Sequence, residues 1–174
     1  MSVEEELQEH AEHAKEPFDR NVALTMAVIA AAMAIVSVAG QILTTEELLN
    51  QQKASDQWAF YQAKDIRRYE SDIARDMMAA LSAGPAAINK YAANMERYDK
   101  DRGDIQNEAR KLEQESHVHG ARALRTHIGE IFLEFGIVLA SLAILTKRRQ
   151  MWFISILSAL VGAGIAATAL LVHS

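Results

Sequence analysis

Two carboxylates, with a histidine just before them, stand where ionisable side chains are costly. His127, Glu130 and Glu134 fall at steps of three and four, so a helix through them carries all three on one face. The stretch that holds the two carboxylates, 128–146 (IGEIFLEFGIVLASLAILT), is otherwise uncharged. Counted back from Lys147, Glu134 lies roughly 20 Å along the helix and Glu130 roughly 25 Å. A carboxylate at such depth costs about 2.5 kcal/mol or more against lipid, so the pair is expected to face the bundle interior, a neighbouring subunit or a water-filled cavity. In a ring of subunits that face would give stacked carboxylate rings, which attract cations. The structural alternative is a protonated Glu134, or one hydrogen-bonded to Gln41, Thr44 or a serine on a neighbouring helix. Against a conduit, the second span offers little polar lining beyond Ser141 on its way to Lys147.

Other candidates carry less chemistry. His117 and His119 lie near Glu113 and Glu115, and His10 and His13 near Glu6 and Glu9, but surface histidines on charged helices are far commoner than metal sites. Asp99, Asp101 and Asp104 supply calcium-loop ingredients without the loop spacing or its closing bidentate glutamate. The chain has no cysteine, which removes thiolate metal sites and a cysteine nucleophile. No phosphate loop, nucleophile elbow, zinc-protease signature or dinucleotide fingerprint appears. The expectation is a non-enzyme with no cofactor and no resident metal.

The elements that must position these residues follow from how unevenly charge is spread along the 174 residues. Residues 22–43 and 151–172 are uncharged and long enough at 1.5 Å per residue to cross about 30 Å of hydrocarbon. With 128–146 they make three expected transmembrane helices, the last two joined only by Lys147, Arg148, Arg149 and Gln150, and the last carrying Trp152 as an interfacial anchor. The first span could instead be a signal peptide cleaved near Ser37-Val38-Ala39, but its flank is acidic and its apolar run too long. Lys147, Arg148 and Arg149 in the shortest loop place that loop and the N-terminus in the cytoplasm by the positive-inside rule. The segment between the first two spans then lies outside. Arg122 and Arg125, before the second span, weigh against this orientation.

That segment, 45–127, holds 13 basic and 14 acidic residues, a solvated helical surface without the one-signed field of a nucleic-acid binder. Ile88, Tyr91, Met95, Tyr98, Ile105, Ala109 and Leu112 follow a 3,4 repeat with Arg102 at the one skipped position, a coiled-coil seam. A looser stripe of Ala59, Ala63, Ile66, Tyr69, Ile73, Met77 and Ala80 precedes it. The two are expected as a helical hairpin with its turn near 82–86, Gly84 closing one helix in the left-handed conformation and Pro85 opening the next. So narrow a core leaves apolar edges for neighbouring subunits, and the seam is expected to serve self-association. Ser158, Gly162 and Ala166, every fourth residue, allow close packing of membrane helices, within or between subunits. Residues 1–20 read either as an acidic amphipathic helix ending near Pro17, suited to a second subunit or a basic partner, or as a loosely ordered, solvated arm. The organisation expected is thus 1–20, a first span over 21–44, the hairpin over 45–127, and closing spans over 128–146 and 151–172, an all-α membrane protein.

The run Ser55-Asp56-Gln57-Trp58-Ala59-Phe60-Tyr61-Gln62-Ala63-Lys64, set after one span and before a charged helical segment and two closing spans, resembles a family of uncharacterised bacterial membrane proteins catalogued only as a domain of unknown function. The resemblance covers essentially the whole chain and implies a multi-pass protein of the bacterial inner membrane; it brings no activity and no catalytic residues. Two functions remain open: a homo-oligomeric membrane assembly protein, partnered by itself and the bilayer and not by nucleic acid, or a cation pathway lined by Glu130 and Glu134.

Overall fold

The computed structural model describes residues 17–172, and no strand occurs among them. Three helices carry the chain: α1, Pro17–Ala80; α2, Pro85–Thr146; and α3, Arg149–Ala167, which tightens into a 3-10 turn over Thr168–Leu171. Each contains a stretch long and apolar enough to cross a membrane. The acidic helix expected over 1–20, and His10 and His13 with it, lies outside the described residues apart from its last four positions, which belong to α1. Contacts divide the described chain into two units, one of 17–44 with 119–172 and one of 45–118.

The first unit is packed by small side chains. Val22, Ala140 and Ala143 are fully buried, and Phe18, Met26, Ile144, Met151 and Trp152 close around them. Phe18 meets Trp152 edge to face at 6.0 Å, and the Trp152 indole N–H donates to Thr25 Oγ1 at 3.1 Å. The expected interfacial tryptophan therefore also ties α3 to α1. Where α2 crosses α3, two glycines face each other: a Cβ on Gly129 would lie 2.6 Å from the Gly162 carbonyl oxygen, and one on Gly162 would lie 2.6 Å from that of Gly129. Beside them the Ser158 hydroxyl donates to the Phe132 carbonyl at 2.7 Å. Ser158, Gly162 and Ala166 thus pack against α2 of the same chain, where the absence of bulk brings two backbones together.

Charged side chains tie the helices of this unit at both ends. Lys147 leaves α2 with φ 54, the left-handed region, and its ammonium reaches Asp19 of α1 at 2.5 Å. Asp19 is only 7% exposed, so this lysine compensates a buried charge. At the other end Arg122 donates twice to the Val172 carbonyl, at 2.9 and 2.6 Å, and Arg125 to the Thr168 carbonyl at 3.1 Å. Two cations there bind carbonyls at the C-terminal end of α3, where the helix dipole favours positive charge.

In the second unit, contacts fall in opposite order along α1 and α2. The Ser116 hydroxyl donates to the Glu47 carbonyl at 3.0 Å and the Trp58 indole to Glu113 at 2.8 Å. Farther along α1, Lys64 pairs with Asp101 at 2.6 Å, Arg68 with Asp99 at 2.7 Å and Arg102 with Asp65 at 2.9 Å. Ala54, Ile105, Ala109 and Leu112 are buried, whereas Ile88, Tyr91, Met95 and Tyr98 are half-buried. These seam residues lie along the side of α2 that meets α1 of the same chain; Arg75 of α1 donates to the Met95 sulfur at 3.6 Å.

Two local expectations are corrected. The left-handed residue that ends α1 is Ser82, φ 56, and no glycine among the described residues has positive φ. Ser82 N–H bonds the Ala79 carbonyl and Ala83 N–H the Met78 carbonyl, a Schellman arrangement that fixes the left-handed position two residues before Gly84. Pro85 does open α2. The second correction concerns the apolar stripe of α1, which points away from α2: Ile66, Tyr69, Ile73 and Met77 are all more than half exposed. The opposite face of α1 is the one committed to α2, through its ion pairs.

Candidate functional site

The best-built polar cluster in the apolar unit joins α1 to α2. His127 and Glu130 are one helical turn apart on α2, and their side chains meet, Nδ1 to Oε2, at 3.3 Å. The other ring nitrogen, Nε2, reaches Thr44 Oγ1 on α1 at 3.2 Å. The imidazole fits because Gly40 lies one turn before Thr44: a Cβ there would stand 3.1 Å from His127 Cε1. Glu130's side chain is 20% exposed and His127's 45%.

The chemistry of the chain of three follows from donors and acceptors. An ionised Glu130 only accepts, so Nδ1–H donates to it, leaving Nε2 of a neutral ring to accept from the threonine hydroxyl. Protonated, the ring donates both ways, and the hydroxyl can turn to accept. The cluster therefore keeps both hydrogen bonds in either charge state of His127.

Glu134, one turn further along α2, is not part of the cluster. It is exposed, and its carboxylate has no hydrogen-bond or ion-pair partner among the described residues. Around it Ile131, Phe135 and Val138 are half exposed or more. By helix geometry it projects between His127 and Glu130, yet it lies one turn beyond the Thr44 contact and is left exposed.

The second unit has a charged seam. Arg102 is its hub: besides Asp65 it donates to Asp99 at 3.2 Å and to the Tyr61 hydroxyl at 2.7 Å. Burial alone would lower the affinity of Arg102 for its proton, but the Tyr61 hydrogen bond and the Asp65 charge more than offset that and raise its pKa. Asp101 is held below its ordinary 3.8, first by the Lys64 hydrogen bond and then by the charges of Lys64, Arg97 and Lys100. Arg102 was visible in the sequence as the one break in the apolar repeat. The Gly40 notch and the carbonyl contacts of Arg122 and Arg125 carried no such signal.

Among the described residues no group of three or more His, Asp or Glu side chains is placed to hold a metal ion. Glu113 is taken by Trp58. A cavity of about 500 Å³ lies beside that bond, between Glu47, Gln51, Ser55 and His117. In the apolar unit a groove of about 470 Å³ runs between Leu24, Val28, Leu133, Ile156 and Leu160. A family model described as a domain of unknown function, DUF4337, matches residues 18–172. No curated protein and no solved structure matches the chain.

Proposed function

The chain belongs to the DUF4337 family, and we propose that it is a homo-oligomeric membrane assembly protein whose three apolar helices sit in the bacterial inner membrane and whose 45–118 unit, a helical hairpin, lies outside the bilayer and takes part in self-association. The observation that carries this reading is Glu134: an exposed, unpartnered carboxylate on an otherwise apolar face of α2. Left against lipid it costs about 2.5 kcal/mol or more. A neighbouring subunit removes that cost by covering the face and supplying a partner or water. The basic turn at Lys147, Arg148 and Arg149 sets the orientation, with the turn and the N-terminus cytoplasmic.

A cation pathway is the second reading, and the same residue favours it, since a carboxylate on the outer face of one chain becomes a ring where several chains meet. One pair of measurements tests both. Light scattering of the detergent-solubilised protein, corrected for bound detergent, should give a mass of several chains; a single-chain mass refutes both readings. If the oligomer conducts cations in a planar bilayer and Glu134→Gln abolishes the current, the pathway reading stands. An intact, silent oligomer whose thermal stability alone responds to Glu134→Gln leaves the assembly reading and refutes the channel.

A further inference from the structure

Within the 45–118 unit, α1 turns some of its charged residues inward and several large apolar residues outward, while Arg67, Glu70 and Asp76 stay exposed beside them. Lys64, Asp65 and Arg68 are committed to α2, while Ile66 is 59% exposed, Ile73 61%, Met77 56% and Leu81 70%. Ala59, Ala63 and Ala80 are exposed on the same face. A soluble helix pair ordinarily does the reverse, because apolar area in water costs free energy and ion pairs near a surface return little.

The outward residues are spaced as a heptad. Ala59, Ala63, Ile66, Glu70, Ile73, Met77 and Ala80 alternate steps of four and three through three heptads, with Glu70 the single polar member. Unlike a merely amphipathic stripe, which drifts around the helix, this spacing holds one seam straight toward a partner helix. Together with the flanking Phe60, Tyr69 and Leu81, the apolar members expose on the order of 600 Å², judged from their fractional exposure. That is at the upper end for a free monomer surface and close to the roughly 800 Å² per partner of a stable interface. The exposed side of α2 offers no match: Lys90, Glu96, Arg97, Lys100, Asp104 and Glu108 lie on it. The one complementary surface on this unit is the same stripe on a second copy.

We propose that the α1 face of Ala59, Ala63, Ile66, Ile73 and Met77 pairs in register with the same face of a second copy of this chain. This rests on the assembly reading above and names the surface through which the extramembrane units associate. Two copies inserted in one bilayer with one topology are related by an axis along the membrane normal, so the stripes run parallel and each residue meets its own equivalent. Glu70 meets its own equivalent in this register, a like-charge contact that costs stability and leaves the apolar members to hold the pair.

The chain has no cysteine, so single-cysteine variants report contacts cleanly. In the full-length protein in membranes, mild oxidation should join Ile66→Cys to itself and Ile73→Cys to itself in high yield, and leave Asn107→Cys, on the exposed side of α2, uncoupled. An antiparallel pairing couples Ile66→Cys to Ile73→Cys in the double variant while neither single variant couples, and overturns the parallel register. If neither variant couples while light scattering still gives a multimer, the stripe is not the interface, although the assembly reading survives. If the particle is a single chain, both fail. Ile73→Asp gives a second readout: at least a tenfold rise in the dissociation constant of the oligomer is expected, with unchanged helix content. An unchanged mass for that variant at all dilutions also overturns the proposal.

Discussion

Adding one methyl group to Gly162 should loosen α3 from α2. Its Cβ would stand 2.6 Å from the Gly129 carbonyl oxygen, 2.9 Å from Phe132 Cβ and 3.1 Å from Leu133 N, whereas ordinary contact begins at 3.4 Å. Two of these three neighbours are backbone atoms and cannot swing aside. The helices must therefore part by several tenths of an ångström, and a gap of that size forfeits about a quarter to a half of the dispersion energy of each facing contact. The Ser158 to Phe132 hydrogen bond, 2.7 Å long, lies on the same interface and lengthens with it. Overpacking of this kind costs about 1–3 kcal/mol, less the roughly 0.5–1 kcal/mol that Ala gains over Gly in a helix. The net destabilisation expected for Gly162→Ala is about 1–2 kcal/mol. Gly164→Ala is the internal control: it lies two residues away on the same helix, a Cβ there meets nothing within 4 Å, and the helix-propensity gain should appear alone. Denaturant or thermal unfolding of both variants in one detergent measures the difference. If the two shift stability in the same direction and by the same amount, the close crossing at Gly129 and Gly162 is refuted.

Three further outcomes are expected. Gly103→Ala, in the middle of α2 with open space around its added methyl, should raise the stability of the 45–118 unit by about 0.5–1 kcal/mol, read from the hydrogen-exchange protection of its amides. Ser82→Gly should also stabilise, since a left-handed L-residue costs roughly 1–2 kcal/mol against a smaller loss of about 0.4–1 kcal/mol from the freer unfolded chain; a lower melting temperature for this variant would contradict the Schellman turn. Asp101 binds its proton less readily folded than unfolded, so its contribution is complete above the ordinary value of 3.8 and is lost as pH falls through the lower folded value. The wild type should therefore lose more stability on acidification below 3.8 than Lys64→Met does; parallel curves would show that the Lys64 pair is not what depresses Asp101.

What the sequence revealed, and what it concealed, divides along a physical line. Long uncharged runs mark helices because that signal is local, and the three helices include those runs. Periodicity told which residues share a face but not which way the face points. The stripe of Ile66, Tyr69, Ile73 and Met77 is regular enough to suggest a core, yet the ion pairs of Lys64 and Arg68 turn the other face of α1 toward α2. Glu134 shows the same ambiguity: spacing sets it on one face with His127 and Glu130, but spacing does not tell where along α2 the contact with α1 ends. Gly84 next to Pro85 was the stronger local signal for a helix end, but the hydrogen bonds from Ser82 and Ala83 decide the turn two residues earlier. The contact of Gly129 with Gly162, and the reach of Arg122 to Val172, join residues far apart in sequence and leave no periodic trace.

The chain's two tryptophans are divided between its two units. Trp58 donates its indole N–H to a carboxylate in the charged unit, and Trp152 donates to a threonine hydroxyl among the apolar helices. Each unit therefore carries its own built-in fluorophore, in surroundings of different polarity. The tryptophan emission of a Trp58→Phe variant comes only from the apolar unit, and that of a Trp152→Phe variant only from the charged one. Without any attached dye, their emission during unfolding can tell whether the charged unit melts first and leaves the apolar bundle standing, or whether both give way as one cooperative body.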